Sequence, residues 1–159
     1  MGRLIPFDSD SERRLSVTFA CCEAVHQELG PELLAATYRQ ALCAELCRRR
    51  IPFQNSVKLP VFCRGVRLDA CHVIDLCVFG GLLVDVLTVD KIRPAHCAAL
   101  QAQLRLTGVG AGIVTNYRSA RLVLSTIVVR EAGAFCLSAR TSRAARREPG
   151  AARWPQPAC

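Results

Sequence analysis

Lysine is nearly absent from this chain. Of its 21 Lys and Arg residues only Lys58 and Lys91 are lysine, so chemistry that needs an ammonium group has two candidates. Long apolar runs are also missing: the longest uncharged one, Leu76 to Val84, has nine residues and lies between Asp75 and Asp85. Spanning a bilayer takes roughly 20, so no membrane span is expected. The first residues lack the basic start and clean apolar stretch of a secretory signal, because Asp8, Asp10 and Glu12 come early and Glu23 interrupts Leu15 to Val25. Neither lipid motif fits: Pro6 stands where myristoylation of Gly2 requires Ser or Thr, and Cys159 is the last residue, not the fourth from the end. Together these absences predict a cytoplasmic protein whose ten Cys are reduced thiols.

No Cys-x₂-Cys pair is present. Cys43 and Cys47 stand four apart, and Cys71, His72 and Cys77 share a predicted strand, but alternation points His72 away from the two thiols. The cysteines therefore read as small buried apolar residues, not as a zinc site. There is no repeat at a period of 20–50 residues, which excludes solenoids. Aromatic residues make up 6% of the chain, too few for a base-stacking platform once core positions are filled.

What is present suffices for one domain and a tail: 159 residues, 51% hydrophobic and 21% charged, with positive mean hydropathy. The formal net charge of +8 favours polyanionic partners. Ser9-Asp10-Ser11-Glu12 reads as a capping box, and Leu15, Phe19, Cys22, Val25 and Leu29 follow at helical spacing up to Gly30. Pro31 suits the first position of a second helix, in which Leu34, Tyr38, Ala41, Leu42 and Leu46 precede Arg48-Arg49-Arg50. Extended segments then follow at Val57 to Cys63, Val66 to Val78 and Leu82 to Val89, separated by Arg64-Gly65 and Gly80-Gly81. A third helix runs from Pro94 to Leu106, with two more strands at Gly110 to Thr115 and Leu122 to Val129. The expected order is α-α-β-β-β-α-β-β, an α/β (α+β) domain over residues 1–130. Residues 131–159, with five Arg, two Glu and three Pro, read as a basic, mostly disordered Arg/Ala/Pro-rich tail of net charge +3.

Asp75 and Asp85 interrupt strands otherwise built from Val, Leu, Ile and Cys. An unpaired carboxylate there is costly, so each implies a partner, a cap or a metal. Alternation lets the two meet across the Gly80-Gly81 turn.

The block Val25-His26-Gln27-Glu28-Leu29-Gly30-Pro31, with Leu33-Leu34, Tyr38, Ala41-Leu42 and Glu45-Leu46, resembles the opening of the GxxExxY proteins, a branch of the PD-(D/E)XK nuclease-like superfamily. The resemblance continues in order through Ile51-Pro52-Phe53, Leu59-Pro60-Val61, Gly65-Val66-Arg67-Leu68, Asp75-Leu76, Gly80 to Val89, His96, Leu104 to Gly108 and Asn116-Tyr117, covering about residues 14–130. It implies a mixed sheet flanked by helices. It also implies a divalent-metal site built from an acid on the second helix, an Asp on the second strand and a (D/E)xK on the third. At i and i+2 on one strand, a carboxylate and an ammonium address the same phosphate, one holding metal and the other stabilising developing charge.

This chain keeps part of that set. Gly30, Tyr38 and Asp75 match, and Asp85 stands where Glu is usual. The Glu position is Ala35, the Lys position Leu87, the third-helix Gln position Ala99, and Gln103 replaces an expected Tyr. Two substitutes come into view: Glu32, three residues before Ala35 on the expected helix, and Lys91, just past the third strand. Asp75 and Asp85 remain as catalytic remnants and as metal ligands, offering Mg²⁺ or Mn²⁺ at most a weak site. His26 and His96, near helix ends, read as packed or capping residues. The expected function is a catalytically impaired nuclease-like protein acting as a non-specific nucleic-acid-binding or protein-interaction module. The alternative is a metal-dependent nuclease using Asp75 and Asp85 with a displaced Glu32 or Lys91.

Overall fold

The structure is a computed structural model that describes residues 9–130 and 133–141. Its elements are α1 (Ser9–Leu29), α2 (Ala35–Arg48), β1 (Phe53–Cys63), β2 (Val66–Val78), β3 (Leu82–Leu87), α3 (Pro94–Thr107), β4 (Ala111–Asn116), β5 (Val123–Arg130) and β6 (Gly133–Thr141). The six strands form one mixed sheet in chain order. All neighbours are antiparallel except β3 and β4, which run parallel with α3 as their crossover.

Each face of the sheet buries its own core. On one, Cys22, Val25, Tyr38 and Leu42 from α1 and α2 meet Leu76, Val84 and Ile113. On the other, Leu100 and Leu104 of α3 cover Leu83, Val114 and Ile127. Central strands covered on both sides read as nearly continuous apolar runs, and β4 is buried along its whole length. α3 lies so close that a Cβ on Gly112 would stand 2.9 Å from Leu100 Cδ2. β1 and β2 extend past this support, where Phe62, Val66 and Leu68 are exposed.

Three expectations need correction. The second helix starts at Ala35, not at Pro31. Gly30 (φ 70°) ends α1, Glu32 has φ 77°, and the Tyr38 hydroxyl donates to Gly30 O while accepting from Leu33 N at 3.2 Å. That buried phenol supplies bonds that helical geometry would otherwise provide, so residues 30–34 form a loop around it. β3 stops at Leu87, because Val89 is bonded to the Asn116 side chain instead of to a neighbouring strand. The fold also does not end near Arg130: β6 pairs antiparallel with β5, from Arg130↔Gly133 to Val123↔Thr141. The tail expected from residue 131 therefore gives up residues 133–141 to the sheet. The rest of it, residues 142–159, lies outside the described residues.

Candidate functional site

β2 and β3 bring Asp75 and Asp85 together. Their ladder pairs Leu76 with Val84, Cys77 with Leu83 and Val78 with Leu82. One step further the same register sets Asp75 against Asp85, but there the Asp75 side chain takes over from the backbone. Its Oδ2 accepts the Val86 N–H at 2.9 Å. The regular alternation of β2 breaks at this point, since Ile74 belongs to the core under α3 and Leu76 to the core under α1 and α2. On β1, Ser56 stands between Asn55, opposite Leu76, and Val57, opposite Ile74, and has φ 50°. A non-glycine residue in the left-handed region costs of order 1 kcal/mol, and such strain collects at functional sites.

Arg39 on α2 completes the cluster. Its Nη1 lies 2.8 Å from Asp75 Oδ1, with both side chains about one-third exposed or less. Asp75 thus has a cation on one oxygen and a backbone donor on the other. Asp85 has neither: among the described residues nothing donates to its carboxylate. Burial first, and the neighbouring Asp75 charge second, push its pKa up to about 7. Burial thus disfavours the charged form of Asp85, whereas Asp75 is paired with Arg39.

The Leu87 side chain, two residues beyond Asp85, packs against the core under α3 and carries no polar atom. Ala35 is half-buried at the first position of α2, and Ala99 is exposed on α3. Gln103 is buried, with its Oε1 lacking a partner. Neither proposed substitute reaches the acid pair. Glu32 is exposed in the loop before α2, so it shares no helix face with Ala35. Lys91 lines a separate concavity beyond the end of β3, with Arg93, His96 and Arg118. Histidines take structural places: His26 Nε2 lies 2.9 Å from Ser119 O, and His96 Nδ1 accepts from Arg93 N at 2.9 Å. The eight cysteines with described side chains are free thiols, and burial pushes Cys22 up to about 12, an inert thiol.

A model of the PD-(D/E)XK nuclease superfamily matches residues 12–127, most of the chain. This protein belongs to that superfamily. The match spans everything from α1 into β5, and so contains both aspartates and the parallel β3–α3–β4 unit. No curated protein and no solved structure matches the chain. In the superfamily a divalent ion is the expected cofactor, and the donor set here does not fit one well. Two carboxylates are available, one already engaged by Arg39 and Val86, and among the described residues no three His, Cys, Asp or Glu side chains group to hold a metal. No described helix is long and apolar enough to cross a membrane.

Arg39 escaped the sequence reading. The available signal was its spacing, four residues after Ala35 and so on the same helix face as the missing acid. Asn116 was visible only as part of a block, without its role as a clamp.

Proposed function

We propose that this chain is a GxxExxY-type member of the superfamily that has kept the nuclease scaffold as a nucleic-acid-binding module with impaired cleavage. One observation carries the reading: the Arg39 guanidinium occupies Asp75, while the motif's Glu and Lys positions are Ala35 and Leu87. A guanidinium 2.8 Å from a carboxylate oxygen competes with a cation for that oxygen, and a strand Leu neither polarises water nor stabilises a leaving group. Each such group typically contributes about 10²-fold or more to rate, so losing several together leaves little chemistry. The net charge of +8 supports a polyanionic partner, and the lack of stacking aromatics favours contacts to the backbone over contacts to bases.

The test is cleavage of plasmid DNA and of single-stranded RNA with Mg²⁺ or Mn²⁺, against a control carrying Asp75→Ala and Asp85→Ala. Equal, background-level cleavage is expected; metal-dependent nicking that disappears in the control overturns the reading. Combining Ala35→Glu, Leu87→Lys and Arg39→Ala asks whether the scaffold still positions a working site. Activity appearing in that variant supports loss of function by substitution.

A further inference from the structure

We propose that the concavity at the carboxyl ends of β3 and β4, formed by Lys91, Arg93, His96 and Arg118, is a binding site for a phosphate group. Its occupant is a backbone phosphate of nucleic acid, an identification that rests on the function proposed above. β3 and β4 are the parallel neighbours of the sheet, and the loops leaving them face each other. In α/β sheets, ligands gather at the carboxyl ends of such strands. The concavity measures about 330 Å³, enough for a phosphate with ordered water.

Its charge is unbalanced. Lys91, Arg93 and Arg118 face one carboxylate, Asp90, which pairs with Arg118 Nε at 2.9 Å. Among the described residues neither Lys91 nor Arg93 has an ion-pair partner. One of only two lysines in the chain therefore stands beside two arginines, and the one carboxylate among them, Asp90, is taken by Arg118. A solvated surface cluster would show the same composition; what sets this one apart is how its backbone is held. Asn116 is 2% exposed. Its Oδ1 accepts from Val89 N at 3.0 Å and Arg118 N at 3.4 Å, and its Nδ2 donates to Val89 O at 2.7 Å. Tyr117 N adds a bond to Leu87 O at 3.0 Å. One buried amide thus ties the loop carrying Lys91 and Arg93 to the loop carrying Arg118, so the cations project from pre-organised backbone. His96 helps: with Nδ1 accepting from Arg93 N, its Nε2 is left as a donor among the cations.

At a rise of about 3.3 Å per residue, the end of β3 at Leu87 lies about 7 Å beyond Asp85, and the loop carrying Lys91 and Arg93 continues from there. A strand of nucleic acid can cross both regions, with one phosphate held here.

The experiment uses the full chain with Lys91→Gln, Arg93→Gln and Arg118→Gln together, titrating a labelled DNA duplex over a series of salt concentrations. A control removes the same charge from the β1–β2 arm through Lys58→Gln, Arg64→Gln and Arg67→Gln. The concavity variant is expected to bind at least tenfold more weakly at low salt and to flatten the log–log salt slope by about 0.9, the amount for one phosphate that is no longer neutralised. The arm variant should change both far less; equal effects of the two variants overturn the site, because net charge alone then explains binding. Circular dichroism and a thermal melt verify folding, and Lys91→Gln alone, expected to weaken binding about threefold, carries the test if the triple variant unfolds. Inorganic phosphate, titrated into wild type by NMR, separates the sources. Phosphate shifts at these residues without any DNA binding keep the site but remove the nucleic-acid reading. DNA binding that this variant leaves unchanged, with no phosphate shifts, keeps that reading and overturns the site.

Discussion

Two charged regions lie along the same strand direction, and they solve opposite problems. At Asp75 and Asp85 the charges are half-buried between helix and sheet, where an ion is costly unless paired, so one carboxylate takes Arg39 and the other has its pKa raised. Beyond Val89 the cations sit in an open concavity, where like charges are cheap because water screens them, and the fold uses a buried amide only to hold their backbone. The acid pair is thus a stability liability and the basic concavity a stability-neutral surface.

The sharpest way to break that contrast is pH. Asp85 has a folded pKa of about 7 against 3.8 in its ordinary environment, so the folded state keeps a proton that the unfolded chain has already released. Its contribution is fully present below pH ~4 and is lost as pH rises through ~7, on the order of 4 kcal/mol at 1.36 kcal/mol per unit. Asp85→Asn should abolish that slope and stabilise the protein above pH 7, as measured by urea denaturation across pH 4 to 8. A slope identical in wild type and variant would remove the buried-acid account.

Next in size, Asp75→Ala should cost about 2–3 kcal/mol, since it strands Arg39 and the Val86 N–H together. Asp75→Asn keeps an acceptor for Val86 and should cost less. It should also lower the Asp85 pKa without restoring the ordinary value, because burial remains the larger cause. Carboxyl NMR titration of the Asn variant reads this directly; an unmoved Asp85 would mean the two carboxylates do not sense each other.

Asn116→Ala should cost about 2 kcal/mol through its unmade buried bonds. It should also weaken DNA binding, although no charge is removed. Loss of stability with unchanged affinity would show that the clamp serves only the fold.

The smallest effect belongs to the end of the chain. Cutting after Thr141 keeps β6 and removes four Arg and one Glu, so the salt slope should flatten by about 0.9 for each phosphate those arginines neutralise, with thermal stability unchanged. Cutting after Arg130 strips the partner of β5 and should lower the melting temperature, which a thermal scan of the two truncations compares.

Much of the architecture was legible because it follows from local periods. The apolar stripe of α1, the Gly80-Gly81 turn, the Pro94 start and Gly108 stop of α3, and the mainly apolar β4 need only neighbours within a few residues. The start of α2 was misplaced because Tyr38 reaches back eight residues to Gly30, a bond no propensity encodes. β6 was hidden by the Arg- and Pro-rich composition around it, since strand formation there depends on the open edge of β5.

The candidate site divides in the same way. Sequence alone determined which chemical groups exist: two aspartates in apolar strands, Leu87 and Ala35 where the motif calls for polar groups, two lysines, and an excess of Arg. Tertiary structure decided which of these meet. It carried Arg39 from α2 onto Asp75, 36 residues away in the chain, left Glu32 in a loop, and joined Val89, at the start of the loop that carries Lys91, to Arg118 through Asn116. The physical reason is range: residue type and helical or strand period act over a few residues, whereas the free energy of a half-buried charge depends on whichever group packing brings within about 3 Å of it.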